Sequence, residues 1–211
     1  MIAILNPNST VSMTDAMLRT ARATLPGVVI EGWTSHDGPP AIQGRDDGDA
    51  AIAPLLRLVV QVSDAGADVI IIGCFDDTGL AAARQAAVCP VIGIGQAAYH
   101  LATLAGDRFS VVTTLQVSVP ILEENIAAYG FGRYLSRVRA SGIAVLELES
   151  DPDAAIARVL EEVAIAASQD GVDSSVLGGA GMVDVAALNK SKMPVRLIDG
   201  VRAAVQLAHL I

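Results

Sequence analysis

The stretch IIIGCFDDTGL, residues Ile70 to Leu80, decides the fold. An apolar run ends in a glycine, then come a lone cysteine, two aspartates and the start of a helix. A continuous apolar run bounded by turn residues reads as a fully buried parallel strand, here Asp68 to Gly73. Cys74 then falls at the carboxyl end of that strand, where open α/β sheets place their chemistry. A thiol just before a helix amino terminus can have its pKa lowered towards the reactive thiolate. Set against this is a buried cysteine serving as a small apolar filler. The rest of the chain decides between the two.

Working outward, strands and helices alternate. Ile2 to Leu5 reads as a strand, and after NPNST comes a helix whose apolar stripe includes Met13, Met17, Leu18 and Ala21. Ile52, Leu55, Leu56, Val59 and Val60 repeat at helical spacing, with Pro54 expected near that helix's start, where it is tolerated. A helix over Thr78 to Ala87 and a strand over Pro90 to Gly93 follow. A second series begins with strand Phe109 to Thr113. Its clearest helix starts at Asp151, a good N-cap, with Pro152 in the first helical position. Strands at Ser174 to Gly178 and Val195 to Ile198 complete it.

The two series match. The strand ending at Asn6 corresponds to the one ending at Thr113, and the strand before Cys74 corresponds to VLGGAGM, which sets Gly179 opposite Cys74. Asn6 and Cys74 are 68 residues apart, Thr113 and Gly179 66. CPVIGIGQAAYHLATLA likewise parallels MPVRLIDGVRAAVQLAHL. The expected architecture is α/β, with two pseudosymmetric βα lobes, each a mainly parallel sheet flanked by helices, and the active site in the cleft between them. Residues 1–97 plus 200–211 form the first lobe with the C-terminal helix, and 98–199 the second.

Composition agrees with that reading. The 211 residues are 52% hydrophobic but 3% aromatic, so the core is built from Ala, Val, Ile and Leu, as parallel sheets covered by helices require. A net charge of −9 without a basic cluster argues against a nucleic-acid partner. No apolar run reaches the ~18 residues of a membrane span. MIAILNPNST lacks a basic leader region, so no signal peptide is expected. Two cysteines, Cys74 and Cys89, make no disulfide framework and point to a cytoplasmic protein with free thiols.

The remaining motifs are weaker. Asn6-Pro7-Asn8-Ser9-Thr10 joins a strand to a helix; its backbone N–H groups and short polar side chains either bind a carboxylate, carbonyl or imide oxygen or simply cap the helix. Val112-Thr113-Thr114 is its counterpart in the second series. GPPAIQG, Gly38 to Gly44, is a lid, a wall of the cleft or a connector. Gly93-Ile94-Gly95-Gln96-Ala97-Ala98 fits a loose dinucleotide pattern but lacks the acidic residue roughly 20 positions on. Its glycines read as close backbone packing. His36, His100 and His209 lack metal-ligand spacing, so neither metal nor cofactor is expected. Cys89, before Pro90 at the strand end away from the cleft, reads as structural. Asp76 and Asp77 read chiefly as caps of the following helix, with orienting the thiol or meeting a substrate N–H as the alternative.

NPNST, GPPAIQG, GCFDDTGL, PVIGIGQAA, FSVVTT and LGGAGM, in this order, resemble the aspartate/glutamate racemase superfamily, and within it the hydantoin and allantoin racemases. The resemblance covers nearly the whole chain. It implies a cofactor-independent isomerase, a homo-oligomer, with one catalytic cysteine from each of two lobes. One thiolate removes a proton from a carbon acidified by a neighbouring carbonyl, and the other thiol returns one on the opposite face. Cys74 matches the first cysteine. The second is expected in LGCAGM, and here Gly179 stands in its place. The resemblance implies a small-molecule substrate held by Asn6, Asn8, Ser9, Phe75, Asp76, Thr113, Thr114, Gly178, Ala180 and Gly181. The leading expectation is a racemase of 5-substituted hydantoins, allantoin or related amino-acid derivatives, impaired by Gly179. The alternatives are a single-cysteine lyase of the arylmalonate decarboxylase type and a non-catalytic small-molecule binding protein.

Overall fold

The computed structural model describes residues 1–183, 185 and 193–211. Among them, eight strands form two four-stranded parallel sheets with the same internal order. The first sheet runs β2-β1-β3-β4, with β1 at Ile2–Asn6, β2 at Ile30–Thr34, β3 at Val69–Ile72 and β4 at Val91–Gly93. The second runs β6-β5-β7-β8, with β5 at Phe109–Thr113, β6 at Leu135–Ala140, β7 at Ser174–Gly178 and β8 at Arg196–Asp199. All sheet pairings are parallel, so the α/β expectation of two matching sheets holds.

The period of two along each strand explains the layers. Ala3, Leu5, Ile70 and Ile72 face α2 (Arg45–Asp64) and α3 (Leu80–Ala86), packing on Ala51, Leu55, Val59 and Leu80. Their alternates Ile2, Ile4, Val69 and Ile71 join a central core with Phe109, Val111, Val176 and Ile198 of the second sheet. That core is filled by α1 (Val11–Thr24), α4 (Ile94–Ala105), α5 (Val119–Ala128) and α8 (Gly200–Ala208). Val112, Leu177 and Leu197 face outward onto α7 (Pro152–Gln169). The short α6 spans Glu147–Ser150. Phe75, Tyr99 and Phe109 meet in the central core, Phe75 edge-on to Tyr99 with ring centroids 5.7 Å apart. No described helix is long and apolar enough to cross a membrane.

Three local expectations need correction. Helix α2 begins at Arg45, so Pro54 lies inside it and not near its start. The polar first turn, Arg45 to Asp49, carries no apolar stripe that would reveal it. Helix α3 is shorter than Thr78 to Ala87. And neither Asp76 nor Asp77 caps α3, whose N-cap is Gly79 in a left-handed conformation without a side-chain bond. The Asp77 carboxylate instead accepts the N–H groups of Gly95 and Gln96, at 3.0 and 2.8 Å, and so caps α4. This explains the glycines of GIGQAA: a Cβ on Gly95 would sit 2.4 Å from the Phe75 carbonyl oxygen, and one on Gly93 2.1 Å from Asp77 Oδ1. They are close-packing glycines, as the sequence suggested.

Candidate active site

Register places the two halves of the site at equivalent steps. Leu5 pairs with Ile72, and the Gly73 N–H donates to the Leu5 carbonyl, so β1 ends level with the Gly73-Cys74 junction. In the second sheet Thr113 pairs with Gly178, and Gly179 follows. The Thr113 hydroxyl donates to the Gly178 carbonyl at 2.9 Å and locks that level. Cys74 and Gly179 therefore leave equivalent strands at the same height, and both line one cavity of about 50 Å³.

Asn8, Phe75, Asp76, Thr113, Thr114, Gly178, Ala180 and Gly181 line the same cavity. Asn6 and Ser9 do not. Asn6 is fully buried and works one layer back: its amide donates to Asn8 Oδ1, the Thr10 carbonyl and Thr14 Oγ1. The backbone N–H groups of Asn8, Ser9 and Thr10 are taken by Asn6 Oδ1, the Pro39 carbonyl and Asn8 Oδ1. The NPNST amides are thus spent on the loop itself, and of this loop Asn8 lines the cavity, its Nδ2 donating to Met13 Sδ at 3.4 Å. The remaining wall comes from Met13, Ile42, Ser118, Val145 and Leu148. Ile42 belongs to the GPPAIQG loop, which is therefore a wall of this space. The others gave no signal in the sequence, because they reach the cavity from separate elements.

The Cys74 sulfur is held in a tight turn. The Asp77 N–H donates to the Cys74 carbonyl at 3.0 Å, and Asp77 takes a positive φ of 49°. Successive N–H groups in such a turn form an anion-binding concavity. Here the N–H groups of Asp76 and Thr78 face the sulfur, and the Thr78 hydroxyl lies 3.3 Å from it. These donors favour the thiolate. Burial opposes them: Cys74 is 9% exposed, and burial followed by the Asp76 charge pushes its thiol up to about 12. The sequence expectation of a lowered thiol pKa is therefore overturned, because desolvation outweighs the turn's donors.

Two carboxyl groups behind the thiol are also raised. Burial, then the neighbouring Asp77 charge, brings Asp76 to about 7, and its Oδ2 is sealed without a hydrogen-bond partner. Burial likewise brings Asp77 to about 7, although the Gln96 N–H, the Tyr129 hydroxyl and the Gly95 N–H all stabilise its anion. The Tyr129 hydroxyl donates to Asp77 Oδ2 at 3.0 Å, and Asn125 Nδ2 donates to the Asp76 carbonyl at 2.8 Å. Both arrive from the α5 side and pin the turn. Cys89, by contrast, is half-buried at the other end of β4, away from this cavity. Among the described residues no cluster of three or more His, Cys, Asp or Glu side chains is placed to hold a metal ion.

The sequence matches the Asp/Glu/Hydantoin racemase family over residues 2–208. It is 41% identical to a hydantoin racemase of Rhizobium meliloti over 209 residues, covering 99% of this chain and 87% of that one. A hydantoin racemase of Pseudomonas sp. (strain NS671) is 32% identical, covering 100% and 85%. Among solved structures, an allantoin racemase from Klebsiella pneumoniae superposes with a TM-score of 0.96 at 36% identity, covering 99% of this chain and 86% of that one.

Proposed function

The chain belongs to the Asp/Glu/hydantoin racemase family, and we propose that it is a cofactor-independent isomerase of a 5-substituted hydantoin, allantoin or a related amino-acid derivative. The observation that carries this reading is the register that brings Cys74 and position 179 from equivalent strand ends into one cavity.

In this mechanism Cys74 is the catalytic thiol. As thiolate, held by the Thr78 hydroxyl and the N–H groups of Asp76 and Thr78, it removes the proton from the carbon next to the substrate carbonyl. Asn8 and Asp76 meet the polar edge of the substrate. Phe75, Thr113, Thr114, Gly178, Ala180 and Gly181 shape the walls. Gly179 carries no proton, so return on the opposite face falls to a water that the chain does not orient. The protein is accordingly a slow racemase. The division into lobes 1–97 plus 200–211 and 98–199, with the cleft between, is part of this reading, as are a homo-oligomeric assembly and a cytoplasmic location.

Incubating a chiral 5-substituted hydantoin, and separately allantoin, with the protein in D2O tests it. Loss of optical activity with deuterium at the stereocentre, abolished by Cys74→Ala, is the expected result. Deuterium uptake with retained configuration would mean chemistry on one face alone. Neither change would overturn the isomerase reading and favour a lyase or a binding protein on the same fold.

A further inference from the structure

Asp76 stands between two cavities. One is the space of about 50 Å³ that holds Cys74 and position 179. The other, about 200 Å³, lies on the far side of the same turn and is lined by Arg45, Asp49, Asp77 and Asn125. Its lining residue Arg45 pairs with Glu124, the two side chains being 60% and 62% exposed, so the cavity communicates with solvent. Asp76 borders both. Its backbone is fixed, with the N–H facing the Cys74 sulfur and the carbonyl held by Asn125, while its Oδ2 is buried and unpartnered.

This arrangement answers a need that Gly179 creates. A buried thiol that has taken a proton must unload it before it can act again, unless it returns the same proton to the same face. With no second thiol to exchange roles with, Cys74 needs a route to solvent. We infer that Asp76 is the proton relay of this site, carrying the proton abstracted by Cys74 from the inner cavity to the outer one. The inference rests on Cys74 being the abstracting group proposed above. The steps balance. The substrate C–H bond breaks as Cys74 S–H forms. A water protonates the carbanion from the other face and becomes hydroxide. The thiol proton passes to the Asp76 carboxylate, and the resulting carboxylic acid neutralises the hydroxide through solvent. Thiolate, carboxylate and water are restored.

Burial that holds the Asp76 carboxyl at about 7 lets it both take and give a proton near neutrality. The ionisable groups around it are Cys74 and Asp77 on its own turn, Tyr99 from α4, Arg45 and Asp49 from α2, and Glu124 of α5, which is engaged with Arg45.

Alkylation of Cys74 by iodoacetamide, mapped by mass spectrometry across the pH range, tests the relay without any substrate. If sulfur and carboxyl share a proton, the native rate rises with pH, flattens near 7 and rises again at alkaline pH. Asp76→Asn should rise about tenfold per pH unit throughout, and Asp76→Glu should restore the flattening. An uninterrupted rise in the native chain would overturn the relay. In D2O with a 5-substituted hydantoin, Asp76→Asn should slow deuterium uptake tenfold or more and Asp76→Glu should recover most of it; unchanged uptake in Asp76→Asn would also overturn it. Flattening in a native chain that exchanges no hydantoin proton would support the relay and count against the substrate reading.

Discussion

Cys74 and Gly179 each follow the residue that ends level with the neighbouring central strand, one in each sheet, yet only the first carries a group that can move a proton. The backbone at Gly179 does not call for glycine. Its φ of −165° is ordinary extended chain, and a Cβ there would make normal contacts of 3.5–3.6 Å with Met182.

Gly179→Cys should therefore fold as the parent does and supply the missing acid. Racemisation followed by circular dichroism should rise by about tenfold or more, roughly 1.4 kcal/mol of barrier. Cys74→Ala in the same background should remove the gain. An unchanged rate in a folded Gly179→Cys protein would rule out the two-face arrangement.

Thr78→Val removes the hydroxyl that lies 3.3 Å from the Cys74 sulfur while keeping the side chain's shape. A hydrogen bond to a charged group contributes about 1.5 kcal/mol or more, so the racemisation rate at neutral pH should fall roughly tenfold, with the pH–rate profile moved to higher pH. Thr78→Ser should retain most of the activity.

Gly95→Ala drives a methyl into the Phe75 carbonyl oxygen, 2.4 Å away, and against Asp77 Oδ2 at 3.0 Å. Overpacking of this kind costs about 1–3 kcal/mol. Urea denaturation should show a lowered midpoint, and activity should fall as well, because the residues displaced are those that carry Cys74.

Asp76 is an acid whose carboxyl lies at about 7 in the folded chain and near its ordinary 3.8 when unfolded. The fold binds that proton more tightly, so it is favoured most below pH ~4 and loses that advantage as pH rises through 7. Asp76→Asn should melt at a higher temperature than the parent at pH 8, with the difference closing towards pH 4. An identical pH dependence in both proteins would show that the Asp76 charge is not held in a dry place.

The parts of this molecule legible in the sequence are those written in continuous apolar runs. IAILN, VIII, FSVVT and SSVLG are buried on both faces, and their repetition discloses two matching sheets. The outer strands β2 and β6 escaped because IEGWT and LSRVRA are half-exposed edge segments without a clean period. The repeat sets Cys74 and Gly179 at matching strand ends, whereas the other site residues are named through the family resemblance, and Asn6 and Ser9 among them lie outside the cavity. The capping role of Asp77 was not legible, since its partners Gly95 and Gln96 lie on another helix. The raised Cys74 pKa was equally hidden: local sequence shows the donors around a sulfur, whereas burial is imposed by everything packed over it.

The walls Ile42 and Val145 are stitched together by the Val145 N–H donating to Gln43 Oε1 at 2.9 Å, and Ser12 and Glu149 make a similar link at 2.7 Å. They flank a space of about 50 Å³ that opens in part to solvent. A molecule larger than that reaches Cys74 by widening the space, and those two links resist the widening. Entry then depends on the protein's own breathing as well as on collision frequency.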